Sequence, residues 1–180
     1  MRVATTRYAD GIREMGQLLS TYQSKSLEIL TLDGREASEL HEGSSAPVPI
    51  GSLRDFVKLR VIEAPYWSLV SCVNLDPWHI LIRNVPRAER PSLLKFLPRS
   101  LEVIRLFVDY YQERYLQIIR LELKCMIQNK REMYPRLTKV KLGIRYITRK
   151  EGLAWNCVYA RFMGCLGGLS MKENVQLIIH

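Results

Sequence analysis

The chain has 180 residues, of which 47% are hydrophobic and 25% charged, apolar enough for a folded core and too apolar for a disordered chain. Its formal charge of +9 is carried by one half: residues 1–90 hold 11 Lys/Arg and 11 Asp/Glu, whereas residues 91–180 hold 16 and 7. A single domain over residues 1–180 with a basic second half is expected.

In chain order, the first helical period runs from Tyr8 to Thr21, where Ile12, Met15, Leu18 and Leu19 form an apolar stripe. Arg2, Arg7 and Arg13 hint at a mitochondrial presequence, but Asp10 and Glu14 interrupt it, and no unbroken apolar stretch of secretory type is present there. An intracellular protein, cytoplasmic or nuclear, is the expectation. A short strand follows at Ser26 to Leu32. Asp33 to Gly51, with Gly34, Gly43, Ser44, Ser45, Pro47 and Pro49, is polar and rich in breakers and is expected to be an exposed loop over residues 33–51.

Short turns are predicted at Ser52 to Lys58 and at Pro91 to Phe96, the latter with proline at a favoured first helical position. Strands are predicted around Leu59 to Ala64, Ser100 to Leu106 and Leu137 to Leu142. Tyr66-Trp67 and Trp78-His79 flank an apolar stretch that either fills the core or forms an insertion at one rim, core filling being favoured. A helix over Tyr110 to Met133 presents Leu116, Ile119, Leu123, Met126 and Ile127 on one face and stops at Pro135. Another spans Leu153 to Leu166, and Gly164-Cys165-Leu166-Gly167-Gly168 reads as its C-cap and turn.

Two heptapeptides 74 residues apart, Ser26-Leu27-Glu28-Ile29-Leu30-Thr31-Leu32 and Ser100-Leu101-Glu102-Val103-Ile104-Arg105-Leu106, are identical at four positions and exchange one aliphatic residue for another at two more. Looser copies begin at Leu59 and Leu137. The anchors Leu27, Leu59, Leu101 and Leu137 are separated by 32, 42 and 36 residues, room for one strand and one helix per unit. The form aliphatic-x-x-aliphatic-x-aliphatic places its last two apolar residues on one face of a strand. One such unit cannot bury that face without neighbours, so the expected object is a stack. A fifth unit is suggested at Val175 to Ile179, with Lys172 in its leading position. The expectation is an α/β solenoid of four or five strand-helix units with a parallel sheet on its concave side. Ends without polar caps would favour self-association, docking on a partner, or cover by the helices near Tyr8 and Leu153.

Several chemistries find no support in the residues. The best membrane-span candidate, Leu153 to Met171, carries Arg161 at its centre, which costs about 3 kcal/mol on insertion scales, and no membrane association is expected. Cys72, Cys125, Cys157 and Cys165 form no Cys-x-x-Cys pair and have no histidine at ligand spacing, since the histidines are His41, His79 and His180. They are expected to be buried thiols, with no metal and no cofactor. The glycine-rich segment lacks the Lys-Ser/Thr of a phosphate loop, and no nucleophile elbow, His-Glu-x-x-His pair or cysteine-histidine dyad occurs, so no enzyme is expected.

The segments Ile50 to Ile62, Leu97-Pro98-Arg99-Ser100-Leu101-Glu102-Val103-Ile104-Arg105-Leu106 and Tyr134-Pro135-Arg136-Leu137-Thr138-Lys139-Val140-Lys141-Leu142 resemble the leucine-rich-repeat region of fungal F-box-type proteins. With the first copy, the likeness extends over roughly residues 20–145. It implies a leucine-rich-repeat-like solenoid acting as a protein-interaction module of the substrate-receptor kind. Met1 to Tyr22 does not resemble an F-box, so adaptor binding is not implied. The asparagine that such repeats place after the strand is also missing, Arg35, Asp109 and Arg145 standing there instead.

Outward strand residues of such a stack are Ile29, Thr31 and Asp33, then Val61 and Glu63, then Val103, Arg105 and Phe107, then Lys139 and Lys141. Thr31, Glu63, Arg105, Phe107, Lys139 and Lys141 are the candidate protein-binding residues, in a row running from acidic to basic that would orient a partner of mixed charge. The partner's identity is not written in them, and a solvated strand face is the plain alternative. A second reading is nucleic-acid binding through Lys130, Arg131, Arg136, Arg145, Arg149 and Lys150, opposed in their segment only by Glu132, with Tyr134, Tyr146 and Trp155 as stacking groups.

Overall fold

The computed structural model describes residues 3–6, 12–32, 49–70, 93–108, 113–144 and 155–180. Among them, six strands form one parallel sheet in chain order: β1 (Val3–Thr6), β2 (Ile29–Leu32), β3 (Val61–Pro65), β4 (Val103–Val108), β5 (Lys139–Ile144) and β6 (Gln176–Ile179). The helices are α1 (Ile12–Gln23), α2 (Tyr66–Leu69), α3 (Glu113–Gln128), α4 (Lys130–Met133) and α5 (Trp155–Lys172), with a 3-10 turn at Leu93–Lys95. This is an open mixed α/β arrangement in which each inner strand pairs with its predecessor and its successor.

Alternation along the strands decides which side is the core. Leu30, Ile62, Ile104 and Val140 share one register line and are buried, as are Ala64, Leu106 and Leu142 on the next. They join one apolar cluster with Leu116, Ile119, Leu123, Met126 and Ile127 of α3, the five residues whose spacing predicted that helix face. The anchors Leu27, Leu59, Leu101 and Leu137 are all buried in the same cluster.

Three of these anchors do a second job through their backbones. The N–H groups of Leu59, Leu101 and Leu137 donate to the carbonyls of Phe56, Pro98 and Tyr134, closing a tight turn just before each strand. After the anchor, one carbonyl receives two N–H groups from the following unit: Glu28 O from Arg60 and Val61, Arg60 O from Glu102 and Val103, and Glu102 O from Thr138 and Lys139. The repeated phrase in the sequence is thus a repeated hydrogen-bonding step, and it sets the strands in register before the ladder proper begins.

Several elements depart from expectation. β1 makes six strands where four or five units were expected, because Val3-Ala4-Thr5-Thr6 has no leucine anchor before it and its β-branched residues are its only strand signal. Gln176 of β6 pairs with Lys139, and the buried residue preceding it is Val175, whereas Lys172 is exposed at the end of α5. Leu18 is 59% exposed and drops out of the α1 stripe, whereas Met15 and Leu19 pack on the core; the side chain of Ile12 lies outside the described residues. The long predicted helix is interrupted at Asn129, whose side chain donates to Cys125 O at 2.7 Å beside its own N–H bond to the same carbonyl. Ser52 to Lys58 forms the expected turns, but Ile50, inside the expected exposed loop, is buried. Residues 33–48 of that loop lie outside the described residues.

α5 passes straight through Gly164-Cys165-Leu166-Gly167-Gly168 and ends eight residues beyond the first of these glycines, at Lys172. Its actual cap is a Schellman turn: Val175 N–H reaches Ser170 O at 2.8 Å, Asn174 N–H reaches Met171 O at 3.1 Å, and Asn174 adopts φ 51°. Glycines lower helix propensity without forbidding it, so the left-handed asparagine sets the terminus.

Candidate interaction surface on the sheet

The strand side opposite the core carries the side chains that the sequence singled out. Thr31 of β2, Glu63 of β3, Arg105 of β4 and Lys141 of β5 are consecutive partners in the register, and all four are half-buried. One step toward the strand starts lies the line Ile29, Val61, Val103, Lys139, which ends on Gln176 of β6. One step the other way, Pro65, Phe107 and Gly143 align. None of Ile29, Val61, Val103 and Phe107 belongs to the apolar core cluster.

Charge on this face is arranged in order. Arg105 Nη1 donates to Glu63 Oε2 at 2.8 Å across β3 and β4, with side-chain exposures of 41% and 27%. Arg105 Nε is buried and makes no hydrogen bond. Lys139 and Lys141 stand on the next strand, half-buried, and form no ion pair among the described residues. The face therefore passes from an apolar and hydroxyl stretch on β2, through one carboxylate, to three cations on β4 and β5.

Phe107 owes its position to a residue that sequence reasoning passed over. A methyl group on Gly143 would come within 3.0 Å of Phe107 Cδ1 and 3.4 Å of His180 Nε2, so the ring lies against the bare backbone of β5 with the imidazole beyond it. Gly143 continues the Lys139-Lys141 alternation, and that spacing was the signal available for it. Asp33, the remaining outward residue of the first unit, lies outside the described residues.

The basic segment of the second reading is divided by the structure. Lys130 Nζ donates to Glu173 O at 2.7 Å and Asn174 O at 3.3 Å, and Arg131 Nε pairs with Glu173 Oε2 at 3.1 Å. These two cations satisfy the carbonyl end and neighbouring carboxylate of α5, a favourable site for positive charge. Arg136 is exposed, whereas Arg145, Arg149, Lys150 and Tyr146 lie outside the described residues, as does the side chain of Trp155. Tyr134 is not an exposed stacking group: it is fully buried and its hydroxyl donates to Leu94 O at 3.1 Å. Burial pushes its pKa above the ordinary 10.0, with Arg54 nearby acting the opposite way and Glu122 adding to the rise.

A second charged row, unnoticed in the sequence, runs along the strand starts. Arg60 Nη2 meets Glu28 Oε2 at 3.0 Å and its Nη1 lies 3.9 Å from Glu102 Oε2, linking three successive units. Glu28, Arg60 and Glu102 occupy the same motif position after the anchor leucine, which is how the sequence encodes it.

Cys125 and Cys165 are free and half-buried, while Cys72 and the side chain of Cys157 lie outside the described residues. Among the described residues no group of three His, Cys, Asp or Glu is placed to hold a metal ion, and no helix is long and apolar enough to cross a membrane. No protein-family model, curated protein or solved structure matches the chain.

Proposed function

We propose that this chain is a non-catalytic protein-interaction module of the cytoplasm or nucleus, a short leucine-rich-repeat-like solenoid that receives a protein partner on the open sheet face through Thr31, Glu63, Arg105, Phe107, Lys139 and Lys141. Its resemblance to the repeat region of F-box-type proteins makes a substrate-receptor-like role the nearest description. The observation that carries this reading is the register: residues from units far apart in sequence fall on adjacent positions of one partly exposed face, graded from apolar to cationic. A stack in which every unit contributes two or three side chains to one continuous surface is well suited to an extended partner.

The test is capture from cell extract at low and high salt, comparing the native chain with Arg105→Glu combined with Lys139→Glu. Loss of the captured protein by about tenfold or more is expected, as for truncation of interfacial charges. Lys139→Glu with Lys141→Glu leaves the Glu63–Arg105 pair intact and controls for damage to it. Unchanged capture by both folded variants would overturn the reading, and capture that is abolished by nuclease and by salt would favour nucleic acid instead.

A further inference from the structure

We infer that the partner presents an acidic, extended segment with apolar residues between its carboxylates, and that Glu63 is a built-in competitor for it. This inference rests on the sheet face being the binding surface. Neighbouring strands are about 4.8 Å apart and alternate residues of one strand about 6.7 Å apart, so Lys139, Lys141 and Arg105 sit on adjacent positions of two strands. Against these three cations, the described strand residues of that face supply one carboxylate, Glu63, which is spent on Arg105 at 2.8 Å. The cationic surplus on β4 and β5 is complementary to carboxylates.

Beside those cations lies the aliphatic line Ile29, Val61 and Val103, with Phe107 seated on Gly143 on the other flank. A segment crossing the strands can set carboxylates over Arg105 and Lys141 while its apolar side chains cover Val61 and Val103. A nucleic-acid backbone fits less well, because its evenly spaced phosphates would meet Glu63 within the same row and find aliphatic side chains where a base would stack. Glu63 makes to Arg105 Nη1 the bond that an incoming carboxylate would make, so it lowers affinity and narrows recognition to segments able to displace or bypass it.

The experiment uses the full chain and fluorescence anisotropy with a short labelled peptide of alternating glutamate and valine, its lysine-valine counterpart, and a single-stranded RNA. The glutamate peptide is expected to bind, with Lys141→Glu weakening it about tenfold and Glu63→Gln tightening it about threefold or more, as charge-pair couplings at interfaces predict. Asp55→Asn, an equal charge change on an exposed turn outside the strands, is expected to leave binding unaltered. Absence of glutamate-peptide binding, preference for the lysine peptide or RNA, or equal tightening by Asp55→Asn would overturn the inference. If the glutamate peptide fails while charge reversal still abolishes capture, the face remains the binding surface and only its acidic specificity falls. If capture is also unaffected, both fall.

Discussion

Gly16, Gly164 and Gly168 all sit inside helices, yet a methyl group at each meets different surroundings. At Gly16 it would overlap the carbonyl and side chain of Ile50, where α1 and that segment touch backbone to backbone. At Gly164 and Gly168 it would meet nothing within 4 Å. Gly16→Ala is therefore expected to destabilise by about 1–3 kcal/mol through forced displacement. Gly164→Ala and Gly168→Ala should each stabilise by about 0.5–1 kcal/mol by restricting the unfolded chain, as chemical denaturation would measure. Equal losses at all three positions would contradict the packing described. Tyr134 makes a second residue-scale prediction. Its folded pKa lies above the ordinary 10.0, so the folded state keeps a proton that the unfolded state releases. That contribution is whole below about pH 10 and is lost as pH rises toward the folded value. Between about pH 9 and about pH 11 the stability of Tyr134→Phe should consequently fall less steeply than that of the native chain. At this scale the sequence was legible where periodicity spoke, as in the five buried α3 residues. It was mute on Gly16, because close approach to Ile50 depends on a contact 34 residues along the chain.

The repeating element of the molecule is a turn, an anchor leucine and a strand, and the serine shared by the two heptapeptides shows how one phrase serves two contexts. Ser100 Oγ donates toward Phe56 O at 3.1 Å and Leu59 O at 2.8 Å, tying the β4 unit onto the turn of the unit before it. Ser26 Oγ instead lies 2.8 Å from Gln23 Oε1 and 3.5 Å from Gln23 O, at the end of its own helix. Ser100→Ala should cost about 1 kcal/mol and Ser26→Ala less, since only the former removes a bond between units. Comparable losses in urea titrations would show that the inter-unit bond carries no special weight. The anchors were readable because one leucine per unit combines burial with a fixed offset to the strand. The end of α5 was not, since its signal is a single left-handed Asn174 after a glycine-rich run that imitates a terminus. Lys130 and Arg131 looked like a free basic patch because their acceptor, Glu173, lies more than forty residues further on.

One core runs beneath the strands from β2 to β6, and its middle is Ile104 of β4, in register with Ile62 on one side and Val140 on the other. Ile104→Ala is expected to cost about 2–5 kcal/mol, and Ile179→Ala on the edge strand β6 clearly less, because the edge position has a neighbour on one side only in this sheet. Near-equal denaturation midpoints for the two variants would argue that the sheet does not share its stability in this way. The parallel order was foreseeable from repeated phrases at intervals wide enough for a crossover, and the graded face followed from alternation alone. What joins that face into a surface is the register, and it is fixed by carbonyls of Glu28, Arg60 and Glu102 that accept two N–H groups apiece, a backbone device that the repeated phrase marks by position after the anchor leucine.

Strand order identical to chain order also bears on how the protein is made. Each new strand leaving the ribosome finds its only required neighbour already laid down beside it, so assembly can proceed by accretion at one growing margin without waiting for a distant segment. A nascent chain halted after β4 would bare the margin reserved for β5, and that margin is where a holding chaperone would be most needed.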